Sequence, residues 1–265
     1  MLRSMYSGIS GMKNFQVKLD VIGNNIANVN TYGFKKGRTT FKDLVSQQIS
    51  GASAPTPGVG GRGGVNPKQV GLGSQLATID TVHTQGSLQT TGRPLDLGIS
   101  GDGFFQLQSN GETTYTRSGN FYLDSAGNVV NSDGKYLVGL TTPIKIDSTS
   151  KSFSIGADGT VSVISATGTL DTSQKVQIAK FDNSEGLEKA GSNEYRASTN
   201  SGGPDTSLPG TGGAGTLVAG ALEMSNVDLS EEFTEMIVAQ RGFQANTRII
   251  TTSDEILQEL VNLKR

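Results

Sequence analysis

A sevenfold apolar repeat near the C-terminal end most constrains how this chain can fold. One heptad position is apolar five times without a break, at Leu229, Met236, Phe243, Ile250 and Leu257. A period of seven is typical of helices that wind around other helices. Residues 228–265 are therefore predicted to form one long helix of about 50 Å. Asp228 is the predicted N-cap, and Glu231 makes a capping box with it.

A second apolar stripe widens this face in the last turns of the predicted helix. Its members are Ile249, Ile256 and Leu263, with Leu260 and Val261 between them. One partner helix covers only a narrow stripe of another helix. The arc needs at least two neighbours, so we expect other copies of the chain to cover what an intramolecular partner leaves open.

The other end of the chain carries a matching pattern over residues 4 to about 29. Its apolar residues follow 3-4-3-4-3 spacing, at Met12, Phe15, Leu19, Ile22, Ile26 and Val29. Helix-poor asparagines and Gly33 follow, and both residue types tolerate the left-handed conformation that ends a helix. We call these six residues and the five heptad residues of the C-terminal helix the assembly seam.

Three asparagines, Asn24, Asn25 and Asn28, lie beside this apolar stripe, where they lower helix propensity. We favour hydrogen bonding to another helix or another subunit, with C-capping as part of the explanation. A polar stripe on the C-terminal helix, Gln240, Thr247 and Asp254, fits either a solvated face or a wet central channel.

The middle of the chain shows β-strand patterns. Short apolar runs flank turn pairs such as Asn110-Gly111 and Asp158-Gly159, which are typical of antiparallel hairpins. Gly-, Ser- and Pro-rich stretches at 50–67 and 198–216 bracket this region, and we predict that they are flexible linkers. A phosphate-cradling loop around Arg62 is the less favoured alternative, because no apolar strand precedes it and no helix follows.

The predicted fold class is α+β: N- and C-terminal helices forming a coiled-coil-like layer, with an inserted, mainly antiparallel β domain. The predicted parts are an N-terminal helix (1–30), an extended arm with a Gly-rich linker (31–69), a β-rich outer domain (70–215), a return linker (216–227) and a C-terminal helix (228–265).

Composition argues against several function classes. The chain has no Cys and one His, His83, which argues against zinc sites and Cys–His nucleophiles. Its 22 basic and 24 acidic residues are nearly balanced, so neither nucleic acid nor a membrane is an expected partner. No cofactor or metal is expected. Asp96 and Asp102 are weak candidates for an acid–base pair, and turn placement and local hydrogen bonding explain them better; we predict a protein that is not an enzyme.

Three groups of motifs carry a family resemblance. GNNIANVNTYGFK (23–35) includes Asn24, Asn25, Asn28, Gly33 and Phe34. LEMSNVDL (222–229) and MIVAQRGFQAN (236–246) include Asn226, Gln240, Arg241, Gly242 and Asn246. TGRPLDL (91–97), GDGFF (101–105) and YTRSGNF (115–121) lie between them. Together they resemble the bacterial flagellar rod and hook proteins over nearly the whole chain.

The resemblance implies a particular place in the flagellum. Residues 1–44 and 84–92 are similar to the hook subunits of Bacillus-type bacteria, whereas the chain length is nearer that of the distal rod subunit. The expected function is a structural subunit of the hook, which self-assembles into a bendable helical tube and transmits motor torque to the filament. The alternative is the distal rod subunit, and a surface adhesive β protein with a coiled-coil stalk is less favoured.

The resemblance also implies a location and partners. The helices would form the inner layer of the tube and the β domain an outer layer. Residues 1–12 lack the apolar segment of a secretory signal, which alone indicates a cytosolic chain. Flagellar type III export uses no cleaved signal, so an extracellular hook is the expected location. Expected partners are further copies in a homopolymer, the hook cap protein, the distal rod protein, the hook–filament junction protein and the flagellar export apparatus.

Overall fold

The computed structural model describes residues 2–55, 62–140 and 143–263. The chain divides into two compact units. The first, which we call the helical unit, consists of residues up to 26, residues 37–80 and residues from 229 onward. Residues 27–36 and 81–228 make the other, which we call the β unit.

The helical unit contains two long helices and two small β ribbons. Helix α1 spans Leu2–Ala27 and helix α2 spans Leu229–Leu263. Strand β1 (Gly37–Asp43) pairs with β4 (Ser74–Thr81), and β2 (Ser46–Ser50) pairs antiparallel with β3 (Lys68–Gly71). Every residue of β2 and β3 is exposed to solvent.

The β unit contains the remaining strands and a short 3₁₀ helix, Ser184–Gly186. The strands are β5 (Leu88–Thr90), β6 (Leu97–Ser100), β7 (Phe104–Ser109), β8 (Glu112–Thr116), β9 (Tyr122–Leu123), β10 (Val129–Val130), β11 (Tyr136–Leu137), β12 (Ser152–Ile155), β13 (Thr160–Ile164), β14 (Leu170–Lys175), β15 (Ile178–Lys180), β16 (Glu188–Gly191), β17 (Glu194–Arg196), β18 (Asp205–Ser207), β19 (Thr216–Ala219) and β20 (Ala221–Glu223).

Strand pairing in the β unit is antiparallel wherever its register is defined. The main sheet runs β16-β17-β8-β7-β11-β10-β9, with β15 pairing both β7 and β18. A three-stranded sheet, β12-β13-β14, and two pairs, β19-β6 and β20-β5, complete the unit. The predicted fold class, α+β with an inserted antiparallel β domain between terminal helices, is confirmed.

The β unit has a core of its own. Phe105, Phe121, Leu107 and Ile178 are fully buried in its main apolar cluster. A second cluster includes Phe104, Tyr115, Phe181 and Tyr195, whose rings meet edge to face at centroid distances of 4.8–5.9 Å, the usual geometry of aromatic pairs in cores.

The Asn-Gly hairpin is confirmed. Asn110 and Gly111 connect β7 to β8 with φ of 51° and 83°. A two-residue type I′ turn needs positive φ at both positions, which Asn and Gly adopt most easily.

Helix α1 ends earlier than predicted. It ends at Ala27, so Val29 lies in the following turn and belongs to the β unit. In that turn the Thr31 N–H donates to the Asn28 carbonyl at 3.1 Å, and the Thr31 hydroxyl donates to the Asn28 side chain. The local hydrogen bonds that Asn and Thr offer the backbone compete with continuation of the helix.

The predicted linkers differ from the observed structure. Residues 198–216 belong to the β unit and contain β18, and the predicted return linker, 216–227, contains β19 and β20. Glycines 202, 210, 212 and 213 have φ between 62° and 78°, so they serve tight turns within a folded segment.

The predicted arm and domain start also differ. Residues 31–69 contain β1, β2 and the start of β3, and residues 70–80, placed in the β domain by the sequence, group with the helical unit because β4 pairs with β1. The glycines at 58, 60 and 61 lie outside the described residues.

Candidate assembly site

Helices α1 and α2 pack as an antiparallel pair within the helical unit. Lys18 forms an ion pair with Glu235. The Asn25 side-chain amide donates to Glu232 Oε2 at 3.2 Å, which is the interhelical hydrogen bond expected for this asparagine. The Thr247 hydroxyl lies 3.4 Å from Met12 Sδ. As the residue number of the contact increases along α1, the residue number of its partner decreases along α2. The two helices therefore run in opposite directions.

Glycines allow a close approach of the two helices. A Cβ at Gly242 would lie 2.5 Å from the Phe15 ring, and a Cβ at Gly11 would lie 2.8 Å from the Asn246 side chain. Real Cβ atoms do not come this close to other atoms, so a side chain at either position requires the neighbour to move. The motif residues Gly242 and Asn246 therefore have a structural role at the helix crossing.

The most buried positions on α2 are small or polar. Glu232 is 6% exposed, Ala239 0% and Ser253 7%. With half-buried Asn246 they repeat every seven residues. On α1, Asn14, Ile22 and Asn25 are buried. An apolar pattern does not reveal this stripe, although the seven-residue spacing of its small and polar residues is visible in the sequence.

The assembly seam lies beside this buried stripe. Ile22 is buried and Leu229 is exposed, and the other members are half-buried: Met12, Phe15, Leu19, Ile26, Val29, Met236, Phe243, Ile250 and Leu257. Among the motif residues, Asn24, Gln240 and Arg241 are exposed. The chain itself therefore covers the seam only in part.

Exposed apolar side chains are concentrated in the helical unit. Of 23 large apolar side chains that are exposed in the described residues, 8 precede residue 81 and 9 follow residue 228, against 6 in the β unit. Within the described part of the helical unit, the buried apolar residues are Ile22 and Ala239. Exposure on this scale marks a surface that associates with another molecule.

The end of α2 is the most exposed apolar segment. In the antiparallel helix pair, residues 256–263 of α2 extend past the first residue of α1, so α1 does not cover them. Leu260 is 49% exposed, Val261 67% and Leu263 83%. The wide apolar arc predicted from sequence is therefore left uncovered by the described chain.

The N- and C-terminal motifs also meet in the β unit. The Gly33 N–H donates to the Glu223 carbonyl at 2.8 Å, and Lys35 Nζ donates to Glu223 Oε1 at 2.6 Å. The Lys36 N–H donates to Asn226 Oδ1 at 2.8 Å, and Asn226 Nδ2 donates to the Val82 carbonyl at 2.8 Å. We call residues 33–36, 82–86 and 223–227, together with Arg117, the motif clasp.

Glycine is required at position 33 of the clasp. Its φ is +71°, and a Cβ there would lie 2.6 Å from the Ser118 backbone nitrogen. Phe34 beside it is buried, with Lys189 Nζ 5.4 Å from its ring centroid. The family motif at 33–35 is thus explained by backbone conformation, packing and a buried charge.

The clasp encloses buried charges. The side chains of Lys35 and Glu223 are 0% exposed, and Arg117 Nη1 lies 3.5 Å from Glu223 Oε2. Burial lowers the pKa of Lys35, while Glu223 acts in the opposite direction. Burial, with a smaller effect of Lys35 and Arg117, lowers the pKa of His83 to about 4, so this imidazole is neutral at pH 7.

The candidate acid–base residues serve local structure. Asp96 is buried and accepts hydrogen bonds from Thr91 Oγ1 at 2.7 Å and Arg93 Nη1 at 3.1 Å, whereas Asp102 is exposed. His83 packs edge-on against Phe104 and Tyr195. Within the described residues no cluster of three or more His, Asp or Glu side chains is arranged to hold a metal.

The described residues thus form a half-covered helix pair and a β unit with its own core, the construction of a structural subunit whose helices leave apolar surface exposed. Three family models match the chain. Residues 5–35 match flagella basal body rod protein, residues 98–163 the flagellar hook protein FlgE/F/G D1 domain, and residues 218–263 the flagellar basal body rod FlgEFG protein C-terminal.

Full-length relatives agree with these models. The chain is 60% identical to the flagellar basal-body rod protein FlgG of Bacillus subtilis and 39% identical to that of Borreliella burgdorferi, with 100% of each chain covered. It is 32% identical to the flagellar hook protein FlgE of Borreliella burgdorferi, again with 100% of each chain covered. The chain belongs to the flagellar rod and hook protein family, whose members are structural components that self-assemble within the flagellum.

The comparisons favour the rod alternative over the hook expectation. The rod alignments span 267 and 275 positions, close to the 265 residues of this chain. The hook alignments span 444 and 466 positions. The hook relatives therefore contain a large segment that this chain lacks.

The chain is a component of the flagellar basal body and hook assembly. No helix among the described residues is long and apolar enough to cross a membrane.

Proposed function

We propose that the chain is the structural subunit of the distal rod of the flagellar basal body. The observation that carries the proposal is 60% identity to a rod protein over the full length of both chains. The expected hook function rested on local similarity at residues 1–44 and 84–92. A full-length match to a protein of the same size is stronger support than those two segments.

The helical unit supports self-assembly as the mode of action. Its seam is half-buried, and the end of α2 presents Leu260, Val261 and Leu263 to solvent. Fully burying such side chains contributes about 1.5–3 kcal/mol each. Packing against further copies supplies that burial, so the terminal helices form the inner layer of the assembled rod and the β units an outer layer.

The motif clasp supports a mechanical role. Transmission of torque requires that the chain segments joining the two units stay fixed. Residues 33–36, 82–86 and 223–227 lie next to the boundaries at 36/37, 80/81 and 228/229. Their mutual hydrogen bonds and the buried Lys35–Glu223 ion pair hold these segments together within the β unit. The subunit acts by binding and bearing load, without catalysis.

The proposed location is the basal body, with assembly after export by the flagellar export apparatus. Further copies of the chain are the main partners. The hook cap and hook–filament junction proteins were expected as partners of a hook subunit, and that expectation loses its basis if the chain is a rod subunit.

Electron cryotomography of a deletion strain tests the proposal. Loss of a distal rod subunit removes the distal part of the structure that crosses the cell wall, together with everything beyond it. Loss of a hook subunit leaves the complete rod in place. Complete rods without hooks in the deletion strain would overturn the proposal, and restoration by the plasmid-borne chain is the control.

A further inference from the structure

A polar cavity opens into the β unit beside the motif clasp. Its volume is about 310 Å³, and it lies between the start of β7, the residue that follows β8 and the end of β15. Two of the family motifs meet there, because Gly103 and Phe104 belong to GDGFF and Arg117 belongs to YTRSGNF. The proposed function gives this cavity no role.

Two residues that line the cavity have buried nitrogen atoms without a hydrogen-bond partner in the described structure. These atoms are Arg117 Nη1 and both ring nitrogens of His83. The Arg117 side chain is 3% exposed, and its Nη2 donates to the Gly101 carbonyl at 2.6 Å, whereas Nη1 has only a long approach of 3.5 Å to Glu223 Oε2. Buried donors are normally paired, so a group in the cavity that accepts these hydrogen bonds is stabilised there.

The buried charges beside the cavity do not balance. Lys35 and Arg117 are buried cations that share one buried carboxylate, Glu223, which leaves an excess of one positive charge. Lys180 is half-buried at the cavity and forms no ion pair with any residue that the structure describes. Because an uncompensated charge is costly in a buried place, this arrangement favours an anion in the cavity.

The chain's own carboxylates at the cavity compensate this charge only in part. Asp102 and Asp182 line the cavity, but both are exposed to solvent, where water screens their charge. Burial lowers the pKa of both Lys35 and Arg117, and Asp102 opposes this effect less strongly than Glu223 does. The cavity therefore combines an acidic, hydrated mouth with buried hydrogen-bond donors and an excess of positive charge.

We infer that this cavity binds a carboxylate group, with Arg117 Nη1, a ring N–H of His83 and Lys180 Nζ as its donors. A guanidinium is well matched to carboxylate oxygens, and a neutral imidazole offers one N–H. Phe104 and Phe181, both buried, line the same cavity and suit the aliphatic part of such a group. Water could accept the hydrogen bonds, but it would leave the excess charge in place.

NMR of the single histidine tests the site from inside. The chain contains one His, so the imidazole signals of His83 are unambiguous. The full chain is kept below the concentration at which it polymerises, and these signals are followed at pH 7 while acetate is added. Acetamide is the matched neutral control, and sodium chloride controls for ionic strength. We expect a saturable shift with acetate and none with acetamide or sodium chloride.

Two lysine variants test the assigned donors. Lys180→Gln removes the cation at the cavity, whereas Lys175→Gln removes a cation from a lysine that is also half-buried and does not line the cavity. We expect Lys180→Gln to weaken acetate binding by about fivefold, as for a partly exposed charge contact, and Lys175→Gln to bind as wild type does. Lys180→Arg keeps the charge and should retain binding, and Lys180→Met repeats the test if Lys180→Gln fails to fold.

Three results would overturn the inference. The first is the absence of a saturable response of the His83 signals to acetate, which would leave the cavity to water. The second is an equal response to acetamide, which would assign the cavity to neutral ligands. The third is unchanged acetate affinity in a folded Lys180→Gln variant. Because these measurements use the unpolymerised chain, none of them depends on the proposed function, and failure of the wild-type chain to form tubes would overturn that function alone.

The assembled polymer distinguishes two sources of the carboxylate. If an acidic side chain of another copy supplies it, solid-state NMR of the polymer should show the His83 signals already at their acetate-bound positions, and added acetate should not move them. If a small solute supplies it, the signals should stay at their free positions and respond to acetate as in the unpolymerised chain. Either result supports the site and assigns its natural ligand.

Discussion

Removing the charge of Glu223 should destabilise the β unit strongly. Glu223 lies between two buried cations, with Oε1 2.6 Å from Lys35 Nζ and Oε2 3.5 Å from Arg117 Nη1. The substitution Glu223→Gln keeps the shape of the side chain and one acceptor oxygen. It leaves Lys35 and Arg117 buried without a carboxylate in contact.

The magnitude follows from the burial of these groups. Removing one partner of a buried ion pair costs about 3–5 kcal/mol of unfolding free energy. The contribution of Lys35 to this loss of unfolding free energy is limited, because Lys35 can lose its proton and become neutral. From the ordinary lysine pKa of 10.5, deprotonation at pH 7 costs about 5 kcal/mol. Arg117 has no such alternative, since its guanidinium stays protonated.

Urea unfolding of the full chain measures the effect. The chain has no Trp, so near-ultraviolet circular dichroism of the buried tyrosines reports on the β unit. Glu112→Gln is the matched control, because Glu112 pairs with Arg196 at 2.7 Å while both side chains are more than half exposed. We expect a loss of about 3–5 kcal/mol for Glu223→Gln and less than about 1 kcal/mol for the control.

The pH dependence of the deficit gives a second check. Glu223 raises the pKa of Lys35 against the effect of burial, so the substitution Glu223→Gln lowers that pKa further. Between the two folded pKa values the folded variant binds fewer protons than the folded wild type, so the stability deficit of Glu223→Gln should shrink as pH rises through that window. Equal stability of Glu223→Gln and Glu112→Gln at pH 7 would refute the account of the clasp.

Three other predictions follow from the same contacts. Gly242→Ala places a methyl group 2.5 Å from the Phe15 ring and should lower the stability of the helix pair by about 1–3 kcal/mol. Gly23→Ala has nothing within 4 Å of the added methyl group and should raise that stability by up to about 1 kcal/mol. Thermal melts of helicity compare the two variants. The pKa of His83 is about 4 in the folded chain, against 6.5 in the unfolded chain. The free energy of unfolding should therefore fall by about 3 kcal/mol as the pH is lowered from 6.5 to 4. His83→Phe keeps the aromatic packing and should abolish this loss in a series of urea unfolding curves. Ile49→Ser in β2 should weaken assembly in pelleting assays without changing monomer stability, since Ile49 is 64% exposed, and Gln48→Ser at the neighbouring exposed position should have no effect.

Local patterns predicted the parts of the fold that depend on local physics. The heptad and the 3-4 spacing predicted both helices, since helix amphipathicity repeats within the segment itself. Asn110-Gly111 located its hairpin, because only residues tolerant of positive φ fit that turn. Strands β2 and β3 were missed because every residue is exposed, so no alternation of buried and exposed positions marks them.

The candidate site depended on contacts that local patterns do not contain. Lys35 and Glu223 are 188 positions apart, and no periodicity links them. The helix crossing is not visible in the apolar pattern for a different reason. Close packing of helices selects small residues such as Gly11, Gly242 and Ala239, and a search for apolar stripes passes over them. The composition of the Gly-rich stretch at 198–216 predicts a linker, because composition alone does not separate turn glycines from flexible ones.

Assembly of a single variant tests the central claim most directly. Leu260 lies on the uncovered end of α2, 49% exposed, and the polar residue Asn262 lies two positions further on, also exposed. Leu260→Asp and Asn262→Asp add the same charge near the same helix end, so their effects on the helix dipole are alike. Only Leu260→Asp places a carboxylate on the apolar surface that we assign to contacts between copies, where an unpaired charge is costly.

The measurement is the mass of polymer in sedimentation and electron micrographs, at matched concentrations of purified chain. We predict that Leu260→Asp has the monomer stability of wild type and forms no tubes, while Asn262→Asp assembles normally. Tubes of normal length from Leu260→Asp would contradict the assignment of the C-terminal helix as the assembly element.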